Sequence, residues 1–316
     1  MFHPNMPYRS VGSSGLKVSA LALGGWTTYG GTVKDQSLVS DIIQKAYDAG
    51  INYFDIADIY AKGESEKIMG ESLSRYPRHH LVLATKVFWP MSDDINDRGL
   101  SRKHIYESLH KSLKRMKTDY VDLYFCHRYD PETPLEETIR MMDDFIHQGK
   151  VLYWGTSEWS AEQIDEALRI CERYGFYKPI VEQPQLSLLA KDKFLEDTQP
   201  CALRNELGLV TWSPLASGML TGKYDQGITQ GRLSKMDWVK ETFYTEANVA
   251  KVKDFRKIAE DLKCSRSQLA ISWVLNQKAV SSVILGATSI QQLEENLNSL
   301  RVPFSFDIDT KLKKLF

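Results

Sequence analysis

Apolar, β-favouring runs alternate along the chain with stretches whose apolar positions recur every three or four residues. The runs are Ala20–Leu23, Tyr53–Asp55, Leu81–Lys86, Val121–Cys126, Val151–Gly155, Val181–Gln183, Val210–Trp212 and Ser282–Ile284, about eight in all. Short runs of this kind read as buried strands, and their alternation with helical stretches is the pattern of repeated βα units around a parallel sheet. Eight units are the number of a closed barrel, with an open doubly wound sheet as the competing layout. The helical stretches have legible ends. Thr133 before Pro134, with Glu136 following, predicts a capping box with Pro at the first helical position; Leu135, Ile139, Met142 and Ile146 then share a face before Gly149. Ser160 with Gln163 and Ser265 with Gln268 repeat the signal. Ser101 opens a stretch with Ile105, Leu109, Leu113 and Met116 facing inward and Arg102, Lys103, Lys111, Lys114 and Arg115 facing water.

No linker rich in Pro, Gly or Ser interrupts the alternation, so a single domain is expected over residues 1–316. One segment breaks the pattern. Pro214–Tyr244 carries Gly218, Gly222, Gly227 and Gly231 at no clear period, and about thirty irregular residues after the seventh strand predict a functional loop on the face where barrel sites are built.

Charge narrows the function classes. Forty Lys and Arg against 41 Asp and Glu leave a net charge of -1, so no global basic field exists to hold nucleic acid or an anionic membrane. No apolar run approaches the roughly 20 residues of a membrane span, and the opening segment lacks the features of a signal peptide; the expected location is the cytoplasm. Cys126, Cys171, Cys201 and Cys264 are far apart and form no C-x-x-C pair, which predicts reduced thiols and no metal site.

The chemistry-bearing residues sit at successive strand ends. Strand two ends at Asp55 with Tyr60 in the following loop, strand three ends in Lys86, and strand four leads into His127. A Lys closing an apolar strand needs a carboxylate, and the neighbouring strand offers Asp55. Beside such an ammonium the Tyr60 phenol is expected to move down from its ordinary value near 10, toward useful acidity, while a neutral His127 orients a carbonyl oxygen. A strand-end Lys in a barrel also fits a Schiff-base aldolase, so that chemistry stays open at this point. No G-x-G-x-x-G follows the first strand, which removes the phosphate loop of a doubly wound dinucleotide fold.

The chain resembles the aldo-keto reductases, closest to the branch with the voltage-gated potassium channel β subunits and their bacterial relatives. The resemblance rests on Gly24-Gly25-Trp26, Phe54–Tyr60, Ala84–Val87, Gly99–Ile105, Tyr153–Ser157, Trp212–Ala216, Gly222-Lys223-Tyr224 and Ser281–Asn296, nearly the whole chain. It implies a (β/α)8 TIM barrel, an N-terminal hairpin within residues 1–19 plugging its bottom, and NADP(H) bound at the mouth under a loop at 214–244. By resemblance Asp55, Tyr60, Lys86 and His127 are the catalytic tetrad, with Tyr60 as general acid in reducing a small carbonyl substrate. The same likeness assigns Gly25, Trp26 and Thr32 to the nicotinamide end, along with Asp55. Ser157 and Gln183 become carboxamide partners, and Trp212 becomes the stacking aromatic. Ser213, Pro214, Leu215, Ala216, Ser217 and Lys223 fall to the pyrophosphate, Arg232 to the adenosine phosphate, and Gly286, Thr288, Gln292, Glu295 and Asn296 to the adenosine pocket. Two departures stand out: Glu158 replaces a common Asn, and Gln292 replaces a common Arg at the 2′-phosphate, which loosens the preference for NADPH over NADH. The channel β subunits commonly have Asn where this chain has His127, which favours turnover. A homotetramer and a channel partner are further implications of the resemblance.

Overall fold

The structure, a computed structural model, describes residues 3, 5–229 and 231–316. Met1, Phe2 and Pro4 of the expected hairpin segment, and Gln230 of the expected cofactor loop, lie outside the described residues. β1 (Tyr8–Ser10) and β2 (Lys17–Ser19) form an antiparallel hairpin. Eight parallel strands follow: β3 (Leu21–Gly24), β4 (Tyr53–Asp55), β5 (Val82–Val87), β6 (Val121–Cys126), β7 (Val151–Ser157), β8 (Val181–Gln183), β9 (Gly208–Thr211) and β10 (Val280–Leu285). They pair in chain order and β10 returns to β3, closing the barrel, so the open doubly wound alternative is excluded.

The helices wrap the barrel: α1 (Gln36–Asp48), α2 (Glu64–Leu73), α3 (Arg102–Met116), α4 (Leu135–His147), α5 (Ala161–Tyr174), α6 (Gln199–Arg204), α7 (Asp237–Phe243), α8 (Glu246–Asp261), α9 (Arg266–Leu275), α10 (Ile290–Leu297) and α11 (Phe306–Leu315). Among the described residues no helix is long and apolar enough to cross a membrane. Their apolar faces meet the outer faces of the strands in one large core, while Val11 and Val18 of the hairpin enter a second core inside the barrel with Ala22, Tyr53, Ala84, Phe125 and Val210. The hairpin therefore closes one end of the interior, and the other end is left for the site.

Three expectations need correction. Strand ends move by one or two residues; β9 closes at Thr211, leaving Trp212 just beyond it, and β7 runs on to Ser157, because neighbouring ladders decide where pairing stops. The Thr133 capping box does not form. Asp130 takes the Thr133 hydroxyl at 2.8 Å, so α4 starts after Pro134 with no side-chain cap and with Glu136 and Glu137 in its first turn. The segment after β9 is not wholly irregular, since α7 buries Val239 and Phe243. The boxes at Ser160 and Ser265 are both complete, and Ser101 caps α3 through the His104 amide.

Candidate active site

Alternation along each strand decides which side chains enter the barrel. Tyr53, Ala84, Phe125, Val181 and Val210 make its inner apolar layer. The residues two positions on, Asp55, Lys86, His127, Gln183 and Trp212, therefore stand one layer nearer the open mouth. Ser157 is two residues past Gly155, where an added Cβ would lie 2.4 Å from Val181.

The four residues of the expected tetrad meet. Lys86 Nζ donates to Asp55 Oδ2 at 2.7 Å, to the Ile56 carbonyl at 2.7 Å and to the Tyr60 oxygen at 3.0 Å. All three ammonium protons are placed, which is what makes a fully buried Lys tolerable. Asp55 Oδ1 accepts from Gln183 Nε2 at 2.8 Å and from the Tyr53 hydroxyl at 3.3 Å. Because Lys86 donates to the Tyr60 oxygen, the phenolic proton is left to point elsewhere. Tyr60 is fixed by a turn with Ala61, Lys62 and Gly63 at φ +49°, +52° and +89°, a strained run of the sort that gathers at functional sites. His127 continues the β6 ladder through its amide to Val87 O at 2.9 Å, and its ring centre lies 5.8 Å from that of Tyr60. Its Nδ1 is buried and has no hydrogen-bond partner among the described residues.

Burial sets the protonation states. It drives the His127 imidazole well below its ordinary value, helped by Lys86 and Arg128, so the ring is neutral, as the sequence implies. Burial also raises the Tyr60 phenol; Lys86 and Arg128 pull the other way without prevailing, so the expected depression is not what the structure shows. For Lys86, burial lowers the value, but Asp55 and Tyr60 outweigh it and the ammonium is held above its ordinary range. An ammonium so held is no Schiff-base nucleophile at neutral pH, which counts against the aldolase reading. A neutral His and a phenol that keeps its proton predict that any turnover depending on this pair has a kcat/KM that is flat from about pH 6 to 9 and changes only above the ordinary phenol range. A pH–rate profile checks this; a limb centred between pH 6 and 8 would contradict these assignments.

The residues expected around a cofactor surround the same mouth. Trp26 meets Trp212 edge to face at 5.7 Å between ring centres, and the Arg232 guanidinium lies 5.2 Å over Trp26 and donates to its carbonyl at 3.4 Å. Gly25 N donates to Asp55 O at 2.9 Å, whereas Thr32 is exposed and bonds back to the Thr27 carbonyl at 2.8 Å. The Ser157 hydroxyl donates to the Gln183 carbonyl at 3.0 Å. Glu158, at φ +60°, accepts from Trp212 Nε1 at 3.0 Å and pairs with Lys193 at 3.2 Å, so this departure orients the indole. Ser213, Pro214, Leu215, Ala216 and Ser217 fold into a tight turn with Ser213, Ala216 and Ser217 at φ +59°, +46° and +56°.

Bare backbone lies beside two cations. A Cβ on Gly218 would come within 2.6 Å of Lys223 Nζ, and one on Gly286 within 3.4 Å of Arg232 Nη2. Neither cation has an ion-pair partner among the described residues. Such a glycine-backed trough fits a phosphate chain. At its far end Gln292 Oε1 accepts from Thr288 N and Oγ1, both at 3.0 Å, while its own amide bonds the Ser289 cap; the side chain thus stiffens the turn before α10 without closing the box. Glu295 is exposed there and Asn296 buried.

The model for the aldo/keto reductase family matches residues 20–314. The chain belongs to this family. Aldo/keto reductases commonly bind nicotinamide cofactors, and the chain is an oxidoreductase. It is 43% identical over 306 residues to a protein of Arabidopsis thaliana named probable voltage-gated potassium channel subunit beta, a match over 94% of this chain and 92% of that protein. An Oryza sativa subsp. japonica protein of the same name is 44% identical over 94% and 92% of the two chains. A putative voltage-gated potassium channel subunit beta of Schizosaccharomyces pombe is 42% identical over 95% and 90%.

In this aldo/keto reductase, sequence reasoning passes over three groups. Tyr53 braces Asp55 from below. Arg128 stands at the mouth directly after His127, and the same alternation that singles out His127 hides its neighbour. Asp58, buried in the Tyr60 loop, accepts the Ser108 hydroxyl at 2.7 Å and the Ile59 amide at 2.6 Å and so ties that loop to α3. A carboxylate three residues after Asp55 is a signal that was present in the sequence.

Proposed function

We propose that the protein reduces aldehydes or ketones to alcohols with NADPH, Tyr60 acting as general acid. The observation that carries this reading is the Tyr60 hydroxyl, held at 3.0 Å by a fully engaged Lys86, with the ring centre of a neutral His127 5.8 Å from that of Tyr60. Lys223 and Arg232 would hold the cofactor phosphates, the Ser213–Ser217 turn its pyrophosphate, Ser157 and Gln183 its carboxamide, and Trp212 the nicotinamide face. When bound, the cofactor supplies a hydride to the carbonyl carbon. Tyr60 then gives its proton to the carbonyl oxygen, Lys86 steadies the charge left on the phenol oxygen, and Asp55 keeps Lys86 in place. His127 hydrogen-bonds the same oxygen and fixes the substrate's orientation.

The test is a fluorescence titration with NADPH and then NADH, followed by a single-turnover chase with 4-nitrobenzaldehyde. Tight NADPH binding with rapid oxidation is expected. Lys223→Ala and Arg232→Ala are expected to weaken NADPH about tenfold or more each, since each removes a charge-assisted contact to phosphate. A change confined to the aldehyde KM would refute the phosphate assignment. The names of the relatives favour one other reading, a regulatory subunit that docks on a potassium channel; to it we add, as our own proposal, a cytoplasmic location, a homotetramer and NADP bound as a redox sensor. Tight binding with almost no oxidation in the same chase would support it.

A further inference from the structure

Arg128 belongs to neither the tetrad nor the phosphate trough. Its half-buried guanidinium spends one nitrogen, Nη1, on the His127 carbonyl and, at 3.4 Å, on the Ser157 hydroxyl. No hydrogen bond or ion pair among the described residues uses Nε or Nη2. The guanidinium carbon lies 5.6 Å from the centre of the Trp89 ring, Trp89 stands edge-on to His127 at 6.3 Å, and His127 meets Tyr60 at 5.8 Å. The fork, the indole and the proton donor thus surround one opening. Two other partly buried guanidinium groups are matched by carboxylates, Arg78 by Asp122 at 2.7 Å and Arg115 by Glu66. Arg128 is not, although desolvating an uncompensated cation is costly. The phosphate role is taken by Lys223 and Arg232, which leaves the free edge of Arg128 for the other ligand. A planar fork with two free donors matches a carboxylate in bidentate fashion.

We propose that Arg128 anchors a carboxylate on the carbonyl substrate, which makes the substrate class oxo acids with the carboxylate a few bonds from the reacting carbon. The span between them lies along Trp89, whose exposed indole covers a flat, apolar linker. This inference rests on the reductase reading for its chemistry but has a binding test of its own.

The experiment compares kcat/KM for 4-carboxybenzaldehyde with that for methyl 4-formylbenzoate, at saturating NADPH. The wild type is expected to favour the acid by about ten- to hundredfold, the range of a charge-assisted pair. Arg128→Gln should bring the ratio near one and Arg128→Lys, which keeps the charge without the fork, should fall between. The ratio cancels any common effect on the acidity of Tyr60. A wild-type ratio near one overturns the proposal, as does a Gln variant that loses both substrates equally, because that is the mark of a residue that only supports His127. Melting curves accompany each variant, and if the Gln protein does not fold the Lys ratio decides. Should the wild type reduce neither aldehyde, the reductase reading fails. The anion site is then judged by calorimetry with 4-(hydroxymethyl)benzoate and its methyl ester on the NADP-loaded protein: preference for the acid that is lost in the variant sustains it, and equal affinity overturns it.

Discussion

Tyr60→Phe is expected to lower single-turnover oxidation of NADPH by about a thousandfold while leaving NADPH affinity near that of the wild type. The ring stays, so the packing of this largely buried side chain against His127 is kept. What goes is the hydroxyl at 3.0 Å from Lys86, the group that carries the proton. General acid catalysis contributes about 10²- to 10⁴-fold, and loss of a group that acts only in the transition state appears in the chemical step and not in binding. Lys86 keeps Asp55 and the Ile56 carbonyl, so its charge remains compensated and the variant should fold. Stopped-flow oxidation beside a fluorescence titration reads both quantities. Turnover equal to the wild type would remove Tyr60 as the acid, and loss of affinity alone would make it a binding residue.

The tetrad was legible because each member lies at or just after the end of a strand. Once eight apolar runs are read as one closed barrel, period-two alternation carries Asp55, Lys86 and His127 to the same layer without any knowledge of distances. Other features depend on which groups the fold brings near, and the chain does not write that out locally. Thr133 looks like a cap until Asp130 is found closer to its hydroxyl. The Tyr60 phenol looks acidified by Lys86 until the whole barrel wall is counted against the charged form. Arg128 carries no local signal in the sequence, and only after folding do its free guanidinium edge and its place beside Trp89 and His127 become visible. α7 escapes notice because a seven-residue helix among glycines has too little periodicity to register.

Alternation also sends one carboxylate the wrong way for solvation. Glu182 stands between Val181 and Gln183, both directed inward, and so faces the helices, where it is fully buried. Oε2 accepts the Thr156 hydroxyl, but Oε1 has no partner among the described residues. Burial, with Glu158 adding to it, raises this carboxyl from the ordinary 4.5 to about 8. Unfolding releases the side chain to water, so between those two values the native protein holds the proton that the unfolded chain has lost. Stability therefore declines as pH climbs through this window and the penalty is complete above the folded value. At pH 7 it amounts to about 3 kcal/mol by linkage, at 1.36 kcal/mol per unit. Glu182→Gln has no such proton to lose and keeps an acceptor for Thr156. The variant is expected to melt with the wild type at pH 4.5 and about 5 °C above it at pH 7.5. Melting curves across that range decide the matter: a constant difference would mean packing alone, and a variant less stable at pH 7.5 would mean that Glu182 is charged and compensated in the native barrel.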